Sequence, residues 1–126
     1  MKHIIRLSFL MLMTLFIAAC SPASSQLISP DNYVTQFRDS SVEHILIDVR
    51  TVEEYAEGHI AGSVNIPVDY IESRLAEIPS DIPVVVYCRS GNRSARAATI
   101  LVENGYSEVY DLGGIMAWTN AGYPVE

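Results

Sequence analysis

The sequence predicts an α/β domain built on a mostly parallel central sheet with helices on both faces. Three observations lead there. From Leu27 onward, short β-branched runs alternate with helical stretches, the order that produces parallel sheets with helical crossovers. Pro83-Val84-Val85-Val86-Tyr87 is a continuous apolar run, as expected of a strand buried on both faces. A chain of 126 residues, 49% of them hydrophobic, can bury one core but not two, and no repeat or second domain is visible.

The elements follow in order. Ser29-Pro30-Asp31 starts a helix, with proline early and an acid in the first turn, and the helix runs to about Arg38. Asp39-Ser40-Ser41 is a loop. His44 to Val49 is a short apolar strand. Thr51 caps a short helix through Tyr55, Glu53 and Glu54 sit where the helix dipole favours acids, and Gly58 ends it. Val64-Asn65-Ile66-Pro67 is an extended piece. Asp69 to Ile78 is a helical stretch with Ile71, Leu75 and Ile78 on one face, followed by the loop Pro79-Ser80-Asp81. After the strand at 83–87, Ser94 to Asn104 is a helix stopped by Gly105. Glu108 to Leu112 is a strand, and Gly113-Gly114 turns into a last helix at Ile115–Asn120.

Ahead of this domain, residues 1–19 read as an export signal. Lys2 and Arg6 give a positive start, and Leu7 through Ala19 is an uncharged, largely apolar run of 13 residues. That run is shorter than the ~20 residues needed to span a bilayer. It ends in Ile17-Ala18-Ala19-Cys20, which resembles the cleavage box of bacterial lipoproteins. The resemblance implies a diacylglycerol on the Cys20 thiol, cleavage before Cys20, and acylation of the new amino terminus, and several acyl chains anchor firmly where one is marginal. Ser21 after the cysteine is similar to the pattern that sorts Gram-negative lipoproteins to the outer membrane, so the expected location is the periplasmic face of that membrane. Residues 20–27 would form a flexible tether, and 28–126 the folded domain. The stretch Ser21 to Gln26 reaches only about 20 Å when extended.

Charge narrows the partners. Eight basic residues against 15 acidic ones give −7, and loss of Lys2 and Arg6 with the leader takes this to −9. An acidic surface repels phosphate backbones and anionic headgroups, which argues against nucleic acid and requires membrane attachment to be covalent or hydrophobic. The two cysteines, Cys20 and Cys88, would invite a disulfide in an exported protein. A lipid thioether on Cys20 removes that option and leaves Cys88 a lone thiol, for which reactivity is the natural explanation.

The chemistry is concentrated where the apolar strand ends, in Cys88-Arg89-Ser90-Gly91-Asn92-Arg93-Ser94. Open parallel sheets bind ligands at the carboxyl ends of their strands. Backbone N–H groups of Arg89, Ser90, Gly91, Asn92 and Arg93, with the start of the following helix, can converge on an anion. Arg89, Arg93 and Arg96 place three of the six domain arginines within eight residues. That field is expected to favour the Cys88 thiolate, the nucleophilic form. An inert structural cysteine would favour apolar surroundings instead.

This loop resembles the active loop of the rhodanese family. Supporting motifs match in order: Asp48-Val49-Arg50 with Glu54-Tyr55, then Gly58-His59-Ile60-Ala61-Gly62-Ser63-Val64-Asn65-Ile66-Pro67, then Gly113-Gly114 and Trp118. The resemblance covers nearly all of residues 28–123 and implies a rhodanese-like α/β fold. It implies a sulfurtransferase that carries sulfur as a persulfide on Cys88, with Arg89, Ser90, Gly91, Asn92 and Arg93 binding the donor. The donor would be a small anion such as thiosulfate, and the acceptor a thiol, cyanide or a protein cysteine, with no cofactor. The six-residue loop from Cys88 to Arg93 suits sulfur. Related Cdc25-type phosphatases use seven residues, and cysteine phosphatases place five residues between Cys and Arg. Here four intervene and position 94 is serine, which disfavours a phosphatase or arsenate reductase. The other alternative is a lipid-anchored persulfide carrier or redox partner-binding module. His59 and His44 read as structural, Arg50 with Glu54 as a structural ion pair, and Trp118 as core. The three histidines and the lone thiol show no metal-ligand spacing.

Overall fold

The apolar run preceding Cys88 becomes the middle of a five-stranded parallel sheet. The strands are β1 (Gln26–Leu27), β2 (Ile45–Asp48), β3 (Val64–Asn65), β4 (Val84–Cys88) and β5 (Val109–Gly114), in the spatial order β1-β5-β4-β2-β3. The architecture comes from a computed structural model that describes residues 23–126, so the leader, Cys20 and the start of the tether lie outside the described residues. No helix among the described residues is long and apolar enough to cross a membrane.

Period-two alternation divides β4 between two cores. Val84, Val86 and Cys88 face α3 (Asn92–Glu103), packing with Ala97, Ala98 and Leu101. Val85 and Tyr87 point to the opposite face, among Tyr33, Phe37, Ile60, Leu112 and Trp118. That face is covered by α1 (Pro30–Tyr33), which runs on as a π-helical segment (Val34–Asp39), and by α4 (Ile115–Asn120). All five residues of β4 are buried, as a strand between two helical layers requires. Trp118 is core as expected, and His44 is held structurally, its Nε2 2.8 Å from the Tyr33 hydroxyl.

Three local expectations are corrected. Gln26 and Leu27, assigned to the tether by sequence, pair with Tyr110 and Asp111 as an edge strand. Both are exposed, so backbone pairing rather than burial makes that strand. The stretch 69–78 is not one α-helix but two 3-10 segments, Val68–Tyr70 and Glu72–Glu77. Arg74 leaves helical geometry (φ −117°, ψ 19°), the Leu75 carbonyl closes a 3-10 turn by accepting the Ile78 N–H at 3.0 Å, and the Tyr106 hydroxyl lies 2.7 Å from the Ile78 carbonyl oxygen. The helix after Cys88 starts at Asn92, two residues earlier than the sequence suggests.

One irregularity positions the site. Along β4 and β5, Val86 pairs with Asp111 but Tyr87 pairs with Gly113, so Leu112 is an extra residue in β5. The bulge is held by the Gly113 N–H, which donates to Asp111 Oδ1 at 2.8 Å, and Gly113 takes φ +81°. Its effect is to set Gly114 opposite Cys88.

Candidate active site

Cys88 ends β4, three residues turn the chain, and α3 begins at Asn92. Gly91 makes the turn with φ +117°, a left-handed conformation that glycine adopts without strain. The turn folds the loop back over the sulfur. The Gly91 N–H donates to Cys88 Sγ at 3.0 Å, and Ser94 Oγ lies 3.6 Å from Sγ while donating to the Gly91 carbonyl at 3.0 Å. Cys88 is a free thiol and is 1% exposed.

Burial by itself pushes the Cys88 thiol up. The Ser94 hydroxyl and the N–H groups of Ser94, Gly91 and Ser90 more than offset it, leaving the thiol below its ordinary value. The sequence predicts a field made jointly by loop N–H groups and arginine charge; the N–H groups are in place, and the buried Ser94, at the start of the helix, adds a hydroxyl to them. Ser94 is fully buried, and its proton can serve either the Gly91 carbonyl or the thiolate. Ser94→Ala is therefore expected to slow alkylation of Cys88 at neutral pH by roughly tenfold, the scale of one hydrogen bond to a charged group. Iodoacetamide rates measured across pH check this.

The arginines are largely committed to acids. Arg93 makes two bonds to Glu54, Nη1 to Oε1 at 2.6 Å and Nη2 to Oε2 at 3.0 Å. Arg96 pairs with Asp69 at 3.0 Å on the surface. Arg50 does not pair with Glu54 as the sequence suggested. It binds Asp48, with Nη2 to Oδ2 at 2.7 Å, and donates to the Gly58 carbonyl. The reason is reach: Asp48 ends β2 with its side chain buried beside Arg50, whereas Glu54 is turned toward α3. Arg89, Ser90 and Asn92 are exposed at the loop surface, and among the described residues Arg89 has no acidic partner.

Glu54 has a second task. Thr51 Oγ1 accepts from the Glu54 N–H while Glu54 Oε1 accepts from the Thr51 N–H, a capping box at the start of α2 (Val52–Glu57). The carboxylate thus ties α2 to the first turn of α3. Arg93 is the main cause of its pKa being held down to about 2. A depressed carboxylate adds stability above its unfolded value and loses it as pH falls. Thermal stability is therefore expected to drop as pH falls from 4.5 toward about 2, more shallowly in Glu54→Gln, as thermal melts across that window would read.

Away from the loop, His59 stacks on Tyr55 with ring centroids 3.8 Å apart, its Nδ1 is 3.0 Å from the Tyr55 carbonyl, and its backbone pairs with Glu126. It is structural, as expected. Gly114 is a site residue whose role the sequence did not reveal. A Cβ there would stand 2.1 Å from the Arg89 carbonyl oxygen and 2.8 Å from Ser90 Cα, so the loop is laid directly on Gly114. Among the described residues no three His, Cys, Asp or Glu side chains come together as a metal site.

A buried thiol at the carboxyl end of a parallel strand, wrapped by a six-residue loop, defines a cysteine-loop α/β protein. A family model, the rhodanese-like domain, matches residues 29–121, and the chain belongs to that family. Among its relatives is a sulfurtransferase of Allochromatium vinosum, 45% identical over 82 residues, covering 64% of this chain and 77% of that protein. The thiosulfate sulfurtransferase GlpE of Pseudomonas aeruginosa is 35% identical over 102 residues, covering 80% and 89% of the two chains. The crystal structure of a rhodanese-related protein from Thermoplasma volcanium superposes with a TM-score of 0.71 at 32% identity, covering 80% of this chain and 97% of that one.

Proposed function

We propose that the protein is a sulfurtransferase that moves sulfane sulfur from thiosulfate or a related donor to a thiophilic acceptor through a persulfide on Cys88. The observation that carries this reading is the thiol itself: buried, lowered in pKa, and met by the Gly91 N–H at 3.0 Å in a six-residue loop. Relatives named as sulfurtransferases support it.

In the first step the Cys88 thiolate attacks the outer sulfur of the donor. A sulfur–sulfur bond forms to Sγ, the donor's sulfur–sulfur bond breaks, and sulfite leaves with the electron pair. In the second step the acceptor attacks the terminal sulfur of the persulfide and Cys88 departs as thiolate. Sulfur is transferred with its six valence electrons, so no outside oxidant or reductant enters. The N–H groups of the loop stabilise the anion at each stage. Deep seating of Sγ suits a donor that presents one terminal atom.

The free guanidinium that a phosphate ester would need is not offered by Arg93, which is occupied by Glu54. The test is a stoichiometric one. Mixing excess thiosulfate with reduced protein should release one equivalent of sulfite per chain. Phosphate-ester turnover well above sulfur transfer would instead support a phosphatase.

We further propose that the chain is exported and lipid-anchored through Cys20. Cys20→Ser is expected to move it from the membrane fraction to the soluble fraction. Retention on the membrane would contradict the anchor.

A further inference from the structure

We infer that Glu54 is a positioning residue that sets donor specificity: by holding Arg93 it lowers the positive charge offered at the sulfur-transfer loop, so that singly charged sulfane-sulfur donors are favoured over the thiosulfate dianion. This rests on the sulfurtransferase reading and names the substrate class of the same site.

The argument is a charge count made on geometry. Four arginines surround Cys88 in sequence or space. Arg50 is bound to buried Asp48, Arg93 is bound by two hydrogen bonds to Glu54, and Arg96 is paired with Asp69. Among the described residues that leaves Arg89 as the one loop cation without an acid. The Arg93–Glu54 pair is the one that bears on the sulfur. The Cys88 thiolate contributes to raising Arg93 above the usual guanidinium value, after Glu54 itself, so Arg93 and Cys88 feel each other. A guanidinium held in a fork–fork pair presents little donor capacity elsewhere.

The charged groups at the loop are Asp48 and Arg50 at the end of β2, Glu54 on α2, Arg93 on α3 and Arg89 in the loop itself, while the exposed Arg96–Asp69 pair lies outside it. With the Cys88 thiolate they sum to zero. A dianion therefore brings two uncompensated charges to the loop where a monoanion brings one. Thiosulfonates and persulfides are donors of that kind. With a thiosulfonate, Cys88 takes the terminal sulfur and the sulfinate leaves with the electron pair, so the step balances as with thiosulfate.

The Glu54→Gln variant isolates the charge, because glutamine at this position also closes a capping box with Thr51. Its amide cannot neutralise Arg93. The experiment compares KM and kcat for thiosulfate and for benzenethiosulfonate in the parent, in Glu54→Gln and in Asp69→Asn. Asp69→Asn removes an acid from an exposed pair (side chains 59% and 75% exposed) that does not touch the loop. The expected result is a KM for thiosulfate lowered roughly two- to fivefold in Glu54→Gln, the scale of one partly exposed ion pair. The KM for benzenethiosulfonate should change less, and Asp69→Asn should leave the ratio unchanged.

A second readout is the pH profile of Cys88 alkylation, which should move to lower pH in Glu54→Gln alone. Equal KM changes for both donors together with an unmoved alkylation profile would reduce Glu54 to a structural tie and overturn the proposal. So would an equal response in Asp69→Asn. If the parent transfers sulfur from neither donor, the sulfurtransferase reading and the donor preference built on it both fall, while the alkylation profile still decides whether Glu54 sets the charge at Cys88.

Discussion

Replacing Cys88 by serine is expected to abolish sulfur transfer, a loss on the order of 10³-fold or more, while leaving the fold intact. The reason is chemical rather than structural. The proposed covalent intermediate is a sulfur–sulfur bond, which a hydroxyl oxygen cannot form. The structural change is small: serine fits the buried position, and its oxygen can accept the Gly91 N–H that Sγ accepts at 3.0 Å. Stability should therefore change by only about 1 kcal/mol. Thiocyanate formation from thiosulfate and cyanide, measured beside a thermal melt, separates the two effects. Retained activity in a folded variant would move the chemistry to another residue.

Gly114→Ala is expected to be nearly as damaging by a different route. Its new methyl would stand 2.1 Å from the Arg89 carbonyl oxygen and 2.7 Å from the Arg89 carbonyl carbon, distances that backbone atoms do not tolerate. Either β5 or the loop must move, and the loop carries the Gly91 N–H that Sγ depends on. Overpacking of this kind costs about 1–3 kcal/mol. A misplacement of about 1 Å at reacting groups can cost on the order of 10²-fold in rate.

Gly62→Ala is the informative comparison. Gly62 has φ +82° but open space around its Cβ position, so alanine there strains the backbone without touching the loop. It should lower stability by about 1–2 kcal/mol and spare turnover. Equal activity loss in both variants would mean that Gly114 acts through general stability alone.

The parts of this protein that were legible in its sequence are those specified locally. The run from Val84 to Tyr87 could only be a buried strand, and it is the central one. Thr51 and Glu54 stand three residues apart, so a capped helix could be read directly, and both bonds of the capping box are present. Cys88 at a strand end before a glycine turn was equally plain.

What escaped depends on residues far apart in the chain. Glu54 and Arg93 are separated by 39 positions, so no spacing rule could choose Arg93 over Arg50 as its partner. Ser94 bears on Cys88 only because Gly91 folds the loop back. The stretch 69–78 has helical periodicity, but the chain leaves helical geometry at Arg74 and its end is tied to Tyr106, 28 positions further on. The role of Gly114 follows from the Leu112 bulge, which exists only once β4 and β5 are paired.

The account stands on a persulfide at Cys88, and the mass of the intact protein tests that directly. Residues 21–126, with Cys88 fully reduced, are treated with thiosulfate, desalted and weighed beside the Cys88→Ser variant. The account predicts a gain of one sulfur atom in the parent, lost on adding cyanide and never acquired by the variant. An unchanged mass, with Cys88 shown by alkylation to be reduced and reachable, would contradict it.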